Sequence, residues 1–115
     1  MDITMDKTSL FTLTYGLFIA AVEEDGKKNG CIINTAVQAT SSPTRMNVTM
    51  MKDNFTTELV KKKGSLTVSV LSIDSPMDII SRFGMKSGRD YDKFSGIEFK
   101  EDLNGNPYIE KDTIA

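Results

Sequence analysis

L-F-I-A-A-V-E-E-D-G-K-K-N-G-C-I-I-N-T-A-V-Q-A-T-S-S-P-T-R, residues 17–45, decides the fold class. It opens on a short, wholly apolar run, LFIAAV (17–22). EEDGKKNG follows, with two glycine turn signals, Asp25-Gly26 and Asn29-Gly30. The natural reading is strand, turn, strand. CIINTAVQAT (31–40) then alternates loosely, with Cys31, Ile33, Thr35, Val37 and Ala39 on one face. Ile32, Asn34, Ala36, Gln38 and Thr40 share the other. SSPTR (41–45) reads as a turn.

Working outward, MNVTMM (46–51) predicts a half-buried strand with Met46, Val48 and Met50 inward. NFTTELVKKKG (54–64) predicts a helix. Asn54 is its N-cap, Lys61, Lys62 and Lys63 sit where the helix dipole favours cations, and Gly64 stops it. SLTVSVL (65–71) alternates, with Leu66, Val68 and Val70 set against Thr67 and Ser69. SPMDIISRFG (75–84) predicts a second helix, capped by Ser75 with Pro76 at its first position and Gly84 at its end. GIEFKEDLNGNPYIE (96–110) predicts two short strands about Asn104-Gly105. Upstream, residues 5–14 carry a helix-like spacing through Leu10, Leu13 and Leu17, with Asp6 and Thr8 as possible caps. Strands joined by turns, with two or three short peripheral helices, favour a mainly β, small antiparallel barrel. A doubly wound nucleotide fold would need strand and helix to alternate throughout.

The composition narrows the chemistry. The 115 residues set a prior of one domain, 1–115. The chain has no His, one Cys and no Trp. That excludes a Ser-His-Asp or Cys-His triad, an imidazole zinc ligand, an internal disulfide and an iron–sulfur cluster. The 14 Lys+Arg and 16 Asp+Glu give a net charge of −2, with no general attraction for nucleic acid. No apolar run reaches the roughly 20 residues that span a bilayer. MDITMDK is no secretory signal, and sparse cysteine suits a cytoplasmic setting.

Three segments carry candidate chemistry. In 29–45, Asn34, Gln38 and Thr40 share a strand face ending in Ser-Ser-Pro. Their amides and hydroxyls suit the donor and acceptor edges of a planar heterocycle such as a flavin ring. The same face would serve equally as a solvated sheet edge. In M-K-D-N-F-T-T (51–57), the helix N-terminus, Lys52, Asn54 and Thr56 suit a phosphate, or simply make a capped surface helix. In R-F-G-M-K-S-G-R-D-Y-D-K-F (82–94), Arg82, Lys86, Arg89 and Lys93 interleave with Phe83, Tyr91 and Phe94. This is an anion-binding loop or a charged surface loop pinned by aromatics. Cys31 reads as a small buried hydrophobe, and the seven Met as core filler.

Together these segments resemble the flavin reductase-like, FMN-binding split-barrel family, in its branch of flavoredoxins and high-molecular-weight rubredoxin flavin domains. The resemblance runs through LTYGLF (13–18), NGCIINTAVQATSSP (29–43), MKDNFTTELV (51–60), GSLTVSVL (64–71) and RFGMKSGRDYDKF (82–94). It implies an antiparallel Greek-key split barrel that binds FMN near the interface of a homodimer. It implies that Asn34, Thr35, Gln38, Ala39 and Thr40 line the ring and ribityl chain, with Ser41 on the ribityl-phosphate side. Lys52, Asn54 and Thr56 would meet the phosphate, and Arg89 and Lys93 would approach FMN or the nicotinamide donor. The family's domain runs on for further strands, often with a His-containing segment, that this chain lacks.

The expected activity is that of an NAD(P)H-dependent flavin reductase. Hydride passes to the flavin and electrons pass to an acceptor, which a rubredoxin-like or flavodiiron-type partner would supply. The cofactor carries that chemistry, so neither a catalytic acid or base nor a metal is required. A non-enzymatic FMN-binding electron carrier and a cofactor-free dimerisation barrel are the alternatives. No nucleic-acid or membrane partner is expected.

Overall fold

A computed structural model describes residues 16–111, 113 and 115. The helix-like spacing at 5–14, with Asp6 and Thr8, lies outside the described residues. Phe18–Glu24 (β1) and Lys27–Ile33 (β2) form an antiparallel hairpin in which Phe18 faces Ile33 and Glu24 faces Lys27. Asp25 and Gly26 turn it with φ of 52° and 81°, the left-handed pair that a two-residue hairpin demands. Glu23 Oε1 accepts from the Gly26 N–H at 2.6 Å and tightens the turn. Thr67–Val70 (β5) pairs with the other edge of β1, giving the sheet order β2-β1-β5.

The apolar run 17–22 is explained by its central place. Ile19 and Ala21 face a core with Leu71, Phe83, Phe94 and Ile109, while Ala20 faces Cys31 and Ile33 on the other side. A strand buried on both faces needs no polar alternation. Phe55–Lys63 (α1) packs on β1 through Leu59. As expected, Asn54 caps it, accepting from the Thr56 N–H at 2.8 Å, and Gly64 ends it at φ 83°. Met77–Gly84 (α2) packs on β2 and buries Phe83, whose ring meets Phe94 edge-on at 5.1 Å. Lys100–Glu101 (β6) and Pro107–Tyr108 (β7) form the expected small hairpin around Gly105.

Ala36–Ser41 (β3) and Thr44–Val48 (β4) make a separate two-stranded arm turned by Ser42-Pro43. The described strands thus form sheets of three, two and two strands with two helices. The domain is small and mainly β.

Five local expectations are corrected. Asn29-Gly30 is no turn but lies inside β2, with both residues buried. CIINTAVQAT is two strands, broken at Asn34-Thr35, where Thr35 Oγ1 donates to the Thr49 carbonyl at 2.6 Å. β4 ends at Val48, and Met46 is exposed because the arm carries it away from the core. In β5 the buried residue is Ser69 rather than its valine neighbours, and its hydroxyl accepts from the Ile109 N–H at 3.2 Å. The cap position of α2 is Pro76, one residue later than Ser75, whose hydroxyl accepts from the Ser72 N–H instead.

Candidate functional site

Two clefts meet at Asn54, the head of α1. The first, about 290 Å³, runs from Cys31 to Thr35 at the end of β2 across to Thr49, Met50 and Met51. The second, about 300 Å³, lies between the α1 N-terminus and the loop after α2, with Lys86, Ser87, Gly88 and Arg89 on its rim. Asn54 lines both. Each alone is at the small end for a ligand pocket.

Beneath the second cleft lies a buried polar chain. Asn29 is 1 % exposed, and its Nδ2 donates to Thr56 Oγ1 at 2.8 Å. Asn29 Oδ1 is buried and has no hydrogen-bond partner among the described residues. A buried carbonyl oxygen left alone is costly and marks a place where a ligand donor would be welcome. Gly88 makes the close approach possible, since a Cβ there would stand 2.1 Å from Asn29 Oδ1. The N–H groups at the head of α1 and the cations on the rim suit an anion; the Asn29 oxygen suits a donor group. A flavin mononucleotide offers both, and the residues present fit it.

Lys93 lies at the same depth, 3 % exposed. Its Nζ donates to the Gly30 carbonyl at 2.7 Å and the Phe83 carbonyl at 3.0 Å. Burial pushes its pKa below the ordinary lysine value. Burial likewise raises the Cys31 thiol, which a hydrogen bond from Thr56 and the charge of Lys93 only partly oppose. Cys31 in the native protein is therefore expected to react with a thiol reagent at least about 100-fold more slowly than in urea, because only the exposed thiolate attacks. A rate equal to that of the unfolded chain would show that β2 opens readily.

The clefts gather Asn34, Thr35, Asn54, Arg89 and Lys93 of the expected residues. Thr56 sits below them, fully buried, with its hydroxyl engaged by Asn29. Gln38, Ala39, Thr40 and Ser41 lie exposed on the arm and line neither cleft. There Gln38 Nε2 donates to the Thr40 carbonyl, and Thr40 Oγ1 donates to that of Pro43. Lys52 is exposed just before α1 and also lines neither. Sequence reasoning passed over Asn29, Phe55, Ser87 and Gly88. The Asn-Gly pair at 29–30 was the available signal, but it resembles a turn.

With this geometry in view, comparison with known proteins is decisive. The model for the flavin reductase-like domain matches residues 10–115. The chain belongs to the flavin reductase-like family. It is 38% identical, over 96% of its length, to the ferric-chelate reductase (NAD(P)H) of Archaeoglobus fulgidus. It is 40% identical, again over 96% of its length, to the high molecular weight rubredoxin of Moorella thermoacetica. It spans 66% of the first and 48% of the second. Its fold matches the FMN-binding protein of Thermus thermophilus with a TM-score of 0.80 at 19% identity, over 96% of this chain and 61% of that one. No helix among the described residues is long and apolar enough to cross a membrane.

Proposed function

We propose that this chain is the flavin-binding part of an NAD(P)H-dependent flavin reductase, with FMN held in the paired clefts. The observation that carries this reading is the unpartnered Asn29 oxygen on the floor of a cleft rimmed by Lys86, Arg89 and the head of α1. The names of its relatives, a reductase using NAD(P)H and a rubredoxin of high molecular weight, point the same way. FMN would supply two-electron acceptance from a nicotinamide and delivery to an acceptor. The chain's own residues bind and orient. Asn34 and Thr35 would border the ring's polar edge in the first cleft. Asn54, Lys86 and Arg89 would receive the phosphate in the second. Lys93 holds the rim rather than the ligand, since its ammonium donates to two backbone carbonyls.

The arm belongs to the same reading. Val37 and Met46 are 61% and 52% exposed on a hairpin that pairs with no other strand among the described residues. A second copy would cover them, closing a Greek-key split barrel and bringing Gln38, Ala39, Thr40 and Ser41 to the partner's flavin. The acceptor would be a small redox protein of rubredoxin-like or flavodiiron type, in a cytoplasmic setting.

Visible spectroscopy of the protein with FMN, before and after anaerobic NADH or NADPH, tests this. The expected result is a protein-bound flavin band that bleaches on addition of the donor. A bound band that persists under both donors would leave an electron carrier, and no bound flavin would remove the reading.

A further inference from the structure

Arg89 stands on the rim of the second cleft but spends its charge elsewhere. Its Nη2 donates to Glu58 Oε1 at 2.7 Å, and its guanidinium lies over the Phe55 ring at 4.9 Å. The turn 87–90, in which Ser87 Oγ accepts from the Arg89 N–H, aims the side chain at the first turn of α1. Glu58 belongs to that first turn. The arginine and the glutamate are both close to half exposed, 47% and 46%. An ion pair so exposed is weak, because water and salt screen it. The cleft beside it offers the head of α1 and Lys86 to an anion, and the unpartnered, fully buried Asn29 oxygen to a hydroxyl donor of the same ligand.

We infer that the Glu58–Arg89 pair is an exchangeable clasp, in which a phosphate monoester entering the second cleft takes Arg89 away from Glu58. The inference rests on the flavin reading above and adds a competitor to it: Glu58 sets the affinity by occupying the arginine. A phosphate monoester carries nearly two charges and three acceptor oxygens and can take a guanidinium in a two-point grip. The clasp offers one carboxylate oxygen to one nitrogen. Glu58 also opposes an arriving anion directly, since it places a negative charge in the helix turn whose dipole attracts one. Its carboxyl is held below the usual carboxylate range, first by the hydrogen bond from Arg89, so the clasp stays charged at neutral pH. Two ligands of this chemistry are at hand for a flavin reductase: the 5′-phosphate of FMN and the 2′-phosphate of NADPH.

Calorimetric titration of the whole chain and its variants Glu58→Gln, Arg89→Met and the double variant tests the clasp. The ligands are FMN against riboflavin, and NADPH against NADH. Glu58→Gln is expected to tighten the phosphorylated ligand about three- to tenfold, and Arg89→Met to weaken it more than about tenfold, as loss of a charged hydrogen bond does. The partner ligand without the monoester should change less than about twofold in either variant, and Glu58→Gln should gain much less in the Arg89→Met background. This order with FMN over riboflavin assigns the clasp to the flavin phosphate. The same order with NADPH over NADH assigns it to the donor. Wild-type protein that binds FMN while neither variant shifts either pair overturns the clasp and leaves the flavin reading standing. Wild-type protein that binds neither flavin removes that reading, and the clasp then stands or falls on the NADPH order alone. Thermal melts of the exposed-site variants, expected within a few degrees of wild type, exclude misfolding as the cause.

Discussion

Gly88→Ala is expected to lower stability by about 1–3 kcal/mol, the usual cost of forcing a methyl group into a packed site. It is also expected to weaken FMN binding more than about tenfold, or about 1.4 kcal/mol. The backbone is not the obstacle, since Gly88 is not among the residues with positive φ. Space is the obstacle. The new Cβ would lie 2.1 Å from Asn29 Oδ1, 2.4 Å from its Cγ and 2.6 Å from its Nδ2. Asn29 has nowhere to go, because it is 1 % exposed and tied to Thr56, a fully buried residue of the first turn of α1. Either the Asn29–Thr56 bond breaks or the loop that carries Lys86 and Arg89 lifts off the cleft. Both outcomes spoil the site. Gly26→Ala is the matched control. Its Cβ would meet nothing within 4 Å, so only the left-handed φ of 81° is strained and flavin affinity should not move. Urea titration and flavin fluorescence quenching measure both quantities. A Gly88→Ala protein with wild-type midpoint and affinity would mean that the 86–89 loop is not seated on Asn29.

The same asparagine shows where reading the sequence succeeds and where it stops. Asp25-Gly26 and Asn104-Gly105 turn hairpins, and Asn54 and Gly64 bound α1, because a positive φ or a capping oxygen is a local need met by a local residue. Asn29-Gly30 carries the same signature for a distant reason. Gly30 is small because a Cβ there would come 3.2 Å from the Phe83 ring and 3.1 Å from the Ala20 carbonyl. Asn29 is polar because its amide reaches Thr56, 27 residues on. Neither need appears in a window of ten residues. β5 fails for a related reason. Ser69 and Thr67 look like a solvent face, but the segment 107–109 lies against them and uses their hydroxyls. The arm shows the converse: its alternation is sound, yet a period of two does not say whether the apolar face meets this chain or another. Of the candidate site, Asn54 at a helix start was legible, because a cap is a local need; Asn34 and Thr35 were legible as candidates, but the break between β2 and β3 that places them was not. Of the floor, Asn29 was not legible at all, and Thr56 and Lys93 read as ligand contacts rather than as the buried residues they are.

Lys93 carries the other large effect. A lysine between Asp92 and Phe94 looks like part of a charged surface loop, yet its ammonium is buried against two carbonyls. One of them, Phe83, belongs to the last turn of α2, whose carbonyls lack partners within the helix and whose dipole favours a cation. The other, Gly30, belongs to β2. Lys93 therefore ties the loop after α2 to both elements that flank the cleft. Lys93→Met keeps much of the side-chain volume and removes the donors. Leaving each buried carbonyl unpaired costs about 1–3 kcal/mol, partly offset by no longer burying a charge, so a net loss of about 2–4 kcal/mol is expected. The pH dependence has a definite sign. Burial lowers the folded-state pKa below the ordinary 10.5, so the unfolded chain holds the Lys93 proton more tightly. Stability then rises with pH in the window between the folded value and 10.5. Wild type should gain on Lys93→Met across that window, and the gap between them should be smallest at neutral pH and below, where wild type bears the whole cost of the buried charge. Urea midpoints of both proteins from pH 7 to pH 10 measure it. A gap that narrows as pH rises would mean that the ammonium is not buried in solution, and with it would go the tie that seats Arg89 and Lys86 over the second cleft.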